Sequence, residues 1–479
     1  MDILIFGIDG LGKESLEGLG LKRLAARMHQ GKVDNPTIQN VISRGWPELY
    51  TGKHAFESGG FYQSPAFNNN RIYPTQNTGL SAIKKNIGED DLLWNVLNRL
   101  GYKVGLFTVP TVTKPEEISG FCIAATGAGK FGNGLASDDI HPSNLLDGLQ
   151  IKDIDLGFRM GYGAFIPKSI EDLEQNANKH IADYFYTLDR VLDRNSVDIC
   201  FAASRFINEM GYKFLGVCLN EPKSDYEIKL KQTIMDLCES FDAQLDNLIN
   251  RVNPKHLFIV SDHGIGKFKS ELNLNQLLLE IGEMTRRTTF LNWREMARSV
   301  YVWLSSNILN KKMPPKIPKY RIEKHKYFSI GFTNVLYLND QRFGAEFIST
   351  DEALDKSKAM VKILNEQVEI DGIADLIHFE VFEHGGGFIG KQDACIPLPN
   401  IHCKMSSGLA NTERCFDVIC KKEYGFETMF ERGFYGEHSG CKTEDTLSSY
   451  SGSKQDIVDL SSLTNIYNSI INLAKVAKS

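Results

Sequence analysis

Short runs of apolar residues alternate along the chain with longer stretches in which apolar residues recur at helical spacing. The run Ile3–Ile8 is typical of a buried strand, and residues 93–100 have the spacing of a helix that ends at Gly101. Residues 226–252 predict a long helix, and the apolar run 257–260 that follows predicts another strand. This alternation predicts an α/β fold whose mostly parallel central sheet is flanked by helices on both faces.

Acidic residues follow two of the predicted strands. Asp9 comes directly after the first strand, and Asp262 and His263 come just after the strand at 257–260. In open parallel sheets, ligands bind outside the carboxyl ends of the strands. We therefore expect these three side chains to meet at one edge of the sheet.

A hydroxyl group precedes a predicted helix start. Ser43 and Arg44 lie just before residues 46–50, where the backbone N–H groups of a first helical turn face an anion. Ser43 alone is more typical of a helix cap than of a nucleophile. The chain also has two carboxylates and an imidazole at predicted strand ends, and a divalent cation bound by such ligands activates a hydroxyl. This combination favours a nucleophile at Ser43. Arg44 adds a charged donor for a phosphoryl oxygen.

Composition and net charge indicate which partners and which location to expect for this protein. The chain has 479 residues, of which 42% are apolar and 24% charged, with a net charge of −6. This negative net charge argues against nucleic acid as a partner. Nine scattered cysteines predict reduced thiols and a cytoplasmic location. The first residues form a strand rather than a signal peptide, and we expect no membrane span and a soluble protein.

One region departs from the alternating pattern. Residues 310–327 carry seven lysines and arginines and three prolines, which predicts a loop or part of an inserted cap with a solvated basic surface. We therefore expect a single domain over residues 1–479, with a cap or loop insertion at 284–327.

Several motifs in a fixed order give the chain a resemblance to a known family. It resembles the type I phosphodiesterase/nucleotide pyrophosphatase family of the alkaline phosphatase superfamily, and within it the predicted phosphohydrolase/phosphomutase group. The motifs are Phe6-Gly7-Ile8-Asp9-Gly10, Trp46 with Tyr50-Thr51-Gly52-Lys53, Leu93-Trp94-Asn95-Val96-Leu97, Val109-Pro110-Thr111, Ser261-Asp262-His263-Gly264, the segment 272–278, Leu336-Tyr337-Leu338-Asn339 and Gly436-Glu437-His438-Ser439-Gly440.

The resemblance implies an alkaline-phosphatase-like fold and a two-metal hydrolase. One cation would be bound by Asp9, Ser43, Asp262 and His263. The second would take an Asp, a His four residues later and a late His, which corresponds to His438. Zinc is the first expectation and manganese the second, since the ligands mix imidazole with carboxylate.

Two positions depart from the family pattern. The nucleophile position falls on Ile42, so we assign the role to Ser43 by a shift of one residue. The Asp and His of the second metal site fall on Asn208 and Tyr212, which are poorer ligands. These two residues therefore bind substrate or a weak second metal, or Glu209 substitutes as a ligand.

The sequence thus predicts a metal-dependent phosphoric-ester hydrolase of phosphodiesterase, nucleotide pyrophosphatase or phosphatase type, acting on a small phosphorylated substrate. Metal-activated Ser43 would attack phosphorus, and the covalent intermediate would then be hydrolysed. A phosphotransferase or phosphomutase on the same fold is the first alternative. The second is a non-catalytic descendant that binds a phosphorylated ligand and has a degraded second metal site.

Overall fold

The apolar runs form strands and the amphipathic stretches form helices in the computed structural model of this chain. The structure describes residues 1–36, 45–60, 65–68, 71–74, 79–124, 135–148, 154, 156–161, 165–286, 300, 320–330, 333–382, 398–413, 415–421 and 436–478. The helices are α1 (Lys13–Gly18), α2 (Lys22–Met28), α3 (Gly45–Thr51), α4 (Ala55–Ser58), α5 (Leu80–Ile87), α6 (Leu93–Arg99), α7 (Ile170–Arg194), α8 (Phe206–Leu219), α9 (Asp225–Val252), α10 (Leu274–Glu280), α11 (Thr350–Ile370) and α12 (Leu463–Lys478).

The strands are more numerous and mostly short. They are β1 (Ile3–Ile8), β2 (Lys32–Asp34), β3 (Pro65–Asn68), β4 (Arg71–Pro74), β5 (Val104–Phe107), β6 (Gly120–Ile123), β7 (Ile140–His141), β8 (Ile199–Ser204), β9 (His256–Val260), β10 (Gly264–Lys267), β11 (Ser270–Leu272), β12 (Thr285–Arg286), β13 (Tyr320–Arg321), β14 (Tyr327–Ser329), β15 (Val335–Leu338), β16 (Ile377–Phe382), β17 (Asn400–Met405), β18 (Leu409–Asn411), β19 (Ile419–Cys420), β20 (Gly440–Thr443) and β21 (Ser448–Gly452).

The largest sheet has β1 near its centre. Its strand order over the described residues is β2-β21-β9-β1-β8-β5-β6-β7. The five strands from β9 to β6 are parallel, whereas β2, β21 and β7 pair antiparallel at the two edges. This arrangement confirms the predicted α/β fold with a mostly parallel central sheet.

Both faces of the sheet are covered by apolar side chains from helices. Along β1, Leu4 and Phe6 belong to one buried cluster, and Ile3 and Ile5 belong to another. The first cluster includes residues of α7, α8 and α9, and the second includes residues of α3, α6 and α12. A strand that is buried on both faces has no polar side to show, which explains why β1 is apolar throughout.

Helix ends follow local chemistry that the sequence carries. The Oγ of Ser224 accepts a hydrogen bond from the backbone N–H of Glu227 at 3.2 Å, which caps the start of α9. That helix ends at Asn253, which has a φ of 43°. Helix α6 ends just before Gly101, where φ is 81°. The helices predicted at 226–252 and 93–100 therefore match α9 and α6 to within one residue at each end.

The prediction of a single domain over residues 1–479, with a cap or loop insertion at 284–327, stays a prediction. The chain forms two compact units, the larger comprising Met1–Tyr62, Gln76–Lys269 and Lys422–Ser479, and the smaller Gln63–Thr75 and Ser270–Lys421. The smaller unit has its own sheet, in the order β14-β15-β17-β16. These short antiparallel strands lack the regular helix–strand alternation, so the sequence pattern did not mark where the unit begins. Most of residues 284–327 lie outside the described part of the chain.

Polar side chains hold the smaller unit together from inside. The side-chain amide of Asn275 donates to the carbonyl of Ser329 at 2.9 Å and accepts from its N–H at 2.8 Å. Asp340 and Arg342 form a buried pair in which Nε and Nη2 of the guanidinium contact the carboxylate at 2.6–3.0 Å. Paired in this way, the buried polar groups replace the hydrogen bonds to water that they lose on folding.

The sequence predicts that the chain has no membrane span and that its cysteines are reduced. Among the described residues, none of the helices combines the length and the apolar character that crossing a bilayer requires. Eight of the nine cysteines lie in the described part of the chain, and each is a free thiol.

Candidate metal centre

The site begins with the turn that follows β1. The backbone N–H of Asp9 donates to the carbonyl of Ser204 at 3.0 Å, which continues the parallel pairing of β1 with β8 for one more residue. Gly10 then turns the chain with a φ of 81°. A Cβ at Gly10 would lie 2.6 Å from the side chain of Ile265 and 3.0 Å from Oδ1 of Asn208. Only glycine allows this turn, which leaves the Asp9 side chain at the edge of the sheet.

Asp262 and His263 reach the same edge from β9, the other neighbour of β1. Ser261 lies between β9 and these two residues, and its Oγ donates a hydrogen bond to the carbonyl of His263 at 2.7 Å. The same Oγ accepts a hydrogen bond from the backbone N–H of Leu11 at 2.9 Å. This buried serine therefore joins the loop after β1 to the loop after β9.

The three predicted ligands come together in one buried group. Nε2 of His263 lies 3.3 Å from Oδ1 of Asp9 and 3.7 Å from Oδ2 of Asp262. One ligand atom from each of the three residues lies within 4.8 Å of the others. Among the described residues, this is the one such cluster of three or more His, Cys, Asp or Glu side chains.

The hydrogen bond behind His263 sets which of its nitrogens faces the carboxylates. Nδ1 lies 2.8 Å from the carbonyl oxygen of Gly264. Because a carbonyl oxygen only accepts, Nδ1 donates this hydrogen bond, and Nε2 is the nitrogen that faces Asp9 and Asp262. Histidine ligands of metals are oriented by the same kind of bond.

The donors of this group fit a divalent cation. Oδ1 of Asp262 is buried and has no hydrogen-bond partner among the described residues. A lone pair of Nε2 and two carboxylates that face one another repel unless a positive charge lies among them. A proton on Nε2 or a cation supplies that charge. Imidazole and carboxylate are ligands of zinc and manganese.

The pKa values of the two acids move in opposite directions. Burial raises the pKa of Asp262, and the nearby charge of Asp9 raises it further. Burial also opposes ionisation of Asp9, but the hydrogen bond with His263 and the charge of Arg205 outweigh it and lower the pKa of Asp9. Below the raised pKa of Asp262, about 6, this acid therefore keeps its proton until a cation displaces it.

Helix α8 brings the two residues of the expected second site beside this group. Oδ1 of Asn208 is buried, lies against Gly10 and finds no hydrogen-bond partner in the residues that the structure describes. The ring of Tyr212 has its centroid 6.3 Å from that of His263. Glu209 is the alternative ligand predicted for the second metal. Its Oε2 accepts a hydrogen bond from the N–H of Met160 at 2.9 Å.

His438 does not belong to the group of mutually close ligand atoms. It precedes β20, and its carbonyl accepts a hydrogen bond from the N–H of Val217 at 3.2 Å. Burial lowers the pKa of its imidazole, while Glu437 acts in the opposite direction. Its Nε2 is buried and, within the described part of the chain, has no hydrogen-bond partner. A role for His438 as a ligand remains a prediction.

The predicted nucleophile and its neighbour, Ser43 and Arg44, lie outside the described residues. The next residue, Gly45, is the first of α3 and lies against the backbone of Asp262. A Cβ at Gly45 would be 2.4 Å from the carbonyl oxygen of Asp262 and 2.8 Å from its Cα. Helix α3 therefore starts directly beside the acidic group.

Sequence reasoning missed two basic residues of the site. Arg205 follows β8 directly, and its Nε lies 3.5 Å from Oδ2 of Asp9. Lys442, on β20, lowers the pKa of both Asp9 and Asp262 by its charge. The rule that selected Asp9, a polar residue at the carboxyl end of a parallel strand, also selects Arg205. Lys442 has no comparable signal in the sequence.

Comparisons by sequence and by structure give different results. No family model and no curated protein matches the chain. Phosphonoacetate hydrolase from Sinorhizobium meliloti 1021, solved with phosphonoformate, is similar in structure, with a TM-score of 0.50 and 11% identity over 99% of this chain and 96% of that one. The fold is alkaline-phosphatase-like.

A second solved structure is similar over the same length of this chain. Murine ectonucleotide pyrophosphatase/phosphodiesterase 5 aligns with 12% identity and a TM-score of 0.40, covering 99% of this chain and 95% of its own. An inactive form of that protein was solved in complex with AMP. The predicted alkaline-phosphatase-like fold is confirmed by the similarity to phosphonoacetate hydrolase, and a fold by itself does not determine an activity.

Proposed function

We propose that this protein is a metal-dependent phosphoric-ester hydrolase of phosphodiesterase, nucleotide pyrophosphatase or phosphatase type, with Ser43 as its nucleophile. The observation that carries the proposal is the buried group of Asp9, Asp262 and His263, whose ligand atoms lie within 4.8 Å of one another at the end of the central sheet. Two carboxylates and a neutral imidazole are a common donor set of metal-dependent hydrolases.

The position of Gly45 supports the choice of Ser43. Gly45 lies against the backbone of Asp262, and Ser43 precedes it by two residues. Two residues of extended chain span about 7 Å. This short separation along the chain supports the assignment of Ser43 as the nucleophile.

Each residue has a separate task in the proposed reaction. Asp9, Asp262 and His263 hold a divalent cation, with zinc our first proposal and manganese our second. When bound, such an ion lowers the pKa of a nearby hydroxyl and offsets negative charge on a phosphoryl group. Ser43 Oγ forms a bond to phosphorus while the bond from phosphorus to the leaving oxygen breaks, and Arg44 donates to a phosphoryl oxygen. Water then cleaves the phosphoseryl ester and restores the serine.

Hydrolysis of p-nitrophenyl phosphate and bis(p-nitrophenyl) phosphate tests this proposal. We expect turnover that EDTA removes and that added Zn²⁺ or Mn²⁺ restores. Ser43→Ala and Asp262→Asn should each abolish it, whereas Ser81→Ala and Asp355→Asn, at exposed helical positions, should not. Rates in the first two variants equal to that of the unchanged protein would remove Ser43 and the acidic group from the reaction.

Two additions to this experiment, alcohol acceptors and a measurement of phosphate binding, separate the two alternatives. A phosphotransferase or phosphomutase would pass the phosphoryl group from Ser43 to an alcohol, so added alcohols would yield new phosphoesters. A non-catalytic protein that binds a phosphorylated ligand is favoured by one observation, the neutral Asn208 and Tyr212 beside the metal ligands. It predicts no turnover on either ester by a protein that still binds inorganic phosphate.

Two further properties complete the proposal. The proposed substrate is a small phosphorylated molecule, and the ligands of the two similar structures, AMP and the phosphonate phosphonoformate, are small molecules with a comparable anionic group. The cytoplasm is the proposed location, supported by the free thiols of the described cysteines. Thiol titration of denatured protein purified without reductant should then find all nine cysteines reduced. A smaller number would contradict this location.

A further inference from the structure

Two cysteines of the smaller unit lie against the same residue of β11. Cys420, on β19, is the antiparallel register partner of Glu271. Sγ of Cys415 lies 3.8 Å from the carbonyl oxygen of Glu271. Directly opposed residues of antiparallel strands have Cα atoms about 4.5–5.5 Å apart. The two cysteines, which four residues separate in the sequence, are therefore also neighbours in the structure.

The chain between the two cysteines is held in a loop around Asn273. Nδ2 of Asn273 donates to the carbonyl of Cys415, and the backbone N–H of Asn273 donates to the carbonyl of Val418 at 2.9 Å. Asn273 is itself fixed, because its side chain accepts from the N–H of Gln276 at 3.1 Å and caps α10. Sγ of Cys415 also contacts the carbonyl oxygen of Asp417. These contacts keep two free thiols close together without a covalent bond.

The two thiols also interact with each other. A hydrogen bond between them raises the pKa of Cys415, and burial raises it further. The same hydrogen bond lowers the pKa of Cys420, although burial and the charge of Asp417 oppose this shift. A thiol that donates to a neighbouring sulfur stabilises the thiolate of that neighbour. Cys420 is thus the member of the pair that ionises more readily.

Exposure to solvent distinguishes the two thiols in the same way. Cys415 is only 2% exposed, whereas Cys420 is partly exposed. Phe416 and Asp417, which lie between them, are exposed, so the loop is at the protein surface. The remaining described cysteines are each at most 6% exposed. Oxidants attack thiolates that they can reach, so among the described cysteines Cys420 is the most open to attack.

We propose that Cys415 and Cys420 form a peroxide-reactive pair, in which Cys420 is oxidised first and Cys415 then closes a disulfide with it. A buried thiol held beside a more exposed one is the arrangement of a resolving cysteine. The inference goes beyond the proposed function and is independent of it, since it concerns thiols of the smaller unit and involves no phosphoester.

Hydrogen peroxide is the oxidant, and the reaction has two steps. In the first, the thiolate of Cys420 attacks one peroxide oxygen. An S–O bond forms, the O–O bond breaks, and hydroxide leaves and takes up a proton to become water. In the second, the sulfur of Cys415 attacks the sulfenic sulfur of Cys420, and the S–S bond forms as the S–O bond breaks. The departing hydroxyl leaves as water with the proton of Cys415, so two thiols are oxidised and one peroxide is reduced to two waters.

Peptide mapping of the full chain tests the inference. Trypsin cuts after Arg414 and Lys421, so both cysteines lie on one peptide, 415–421. The reduced protein is treated with a small excess of hydrogen peroxide, alkylated under denaturing conditions and digested. We expect peptide 415–421 without alkyl groups and lighter by two hydrogen atoms than the reduced peptide, and a loss of two of the nine thiols. Dithiothreitol added before alkylation should restore both labels.

Single substitutions separate the roles of the two thiols. In Cys415→Ser no disulfide should form, and Cys420 should give a sulfenic acid that dimedone labels. In Cys420→Ser, the buried Cys415 should stay unlabelled. Cys403→Ser, at another buried cysteine of the same unit, is the matched control and should keep the disulfide. The result for the unchanged protein needs no substitution, so it does not depend on whether a variant folds.

Three outcomes of the mapping would overturn the inference. The first is a peptide 415–421 that still carries two alkyl groups after the treatment. The second is oxidation of Cys420 to the sulfinic acid while Cys415 is still alkylated, since Cys415 would then not resolve the sulfenic acid. The third is a disulfide from Cys420 to another cysteine, such as Cys395, which lies outside the described residues. Hydrolysis of the nitrophenyl esters is measured separately, so failure of either proposal leaves the other standing.

Discussion

Two buried acidic groups in this molecule are satisfied in different ways. In the smaller unit, Asp340 is fully buried and receives paired hydrogen bonds from Arg342, whose side chain is 2% exposed. In the larger unit, Asp9 and Asp262 share the imidazole of His263, and Oδ1 of Asp262 has no hydrogen-bond partner among the described residues. Asp340 obtains paired hydrogen bonds and a counter-charge from Arg342, whereas Arg205 lies near Asp9 and leaves this oxygen of Asp262 available to a cation.

This difference distinguishes a structural ion pair from a ligand site. Burying a carboxylate costs several kcal/mol unless a positive partner and hydrogen bonds offset the cost. Asp340 has both within two residues of sequence. Asp262 has instead a neighbouring acid that raises its pKa, an arrangement that favours binding over stability.

The largest expected effect concerns the structural pair. Arg342→Met should lower the free energy of unfolding by about 3–5 kcal/mol, because the carboxylate of Asp340 is left buried without its partner. Urea denaturation measures this, with Arg321→Met, at an exposed position of the same unit, as control. The number of bound ions should not change. A loss below about 1 kcal/mol would place Asp340 among acids that tolerate the loss of their partner.

The acidic pair of the larger unit should behave in the opposite way. Asp262→Asn should weaken Zn²⁺ binding about 100-fold or more, since even residues that only support a ligand contribute 10–100-fold. In the metal-free protein its free energy of unfolding should be unchanged or raised, because the substitution removes repulsion from Asp9. Competition against a fluorescent zinc chelator gives the affinity. Destabilisation comparable to that of Arg342→Met would make Asp262 a structural residue.

Metal removal should affect stability through the same group. At a free Zn²⁺ concentration 100 times the dissociation constant, binding adds about 2.7 kcal/mol to the free energy of unfolding, and EDTA should remove it. Calorimetric melting curves with and without EDTA measure the shift. Asp262→Asn is the matched control and should show almost none. An equal shift in that variant would locate the stabilising ion elsewhere.

The smallest effect is a pH dependence of metal affinity. The pKa of Asp262 lies above its ordinary value because of burial and the charge of Asp9, so the metal-free group keeps a proton that the ion must displace. Affinity should therefore fall as the pH drops below that raised pKa, by about tenfold per unit for one displaced proton. It should level off at higher pH, where the acid is already ionised. Calorimetry in buffers of different ionisation enthalpy counts the protons released, and none released would contradict this account.

Sequence reasoning was most reliable where one local rule decides the structure. Asp9 and Asp262 follow strands that are apolar throughout, and the geometry of parallel strands brings such positions to one edge. The Asp9/Asp262/His263 group was predicted in this way. Helix α9 was predicted closely because its cap, Ser224, and its apolar spacing agree.

Other features depend on contacts that no local pattern encodes. The smaller unit is built from short antiparallel strands and polar contacts such as that between Asn275 and Ser329, which have no distinctive period. Lys442 approaches the acidic group only because β20 pairs with β10, far away in sequence. Arg205 could have been found, since it follows a central strand, but the search for ligands considered acids and imidazoles. Ser43 and Arg44 stay predictions.

The Oγ of Ser261 accepts from Leu11 and donates to His263, so the two loops that carry the ligands are tied together by the protein alone. An incoming ion then meets donors whose spacing is already set, and its binding energy is not spent on ordering the chain. This is the reverse of a zinc finger, in which the polypeptide folds around its metal. Exchange of one ion for another should accordingly leave the backbone of these loops in place.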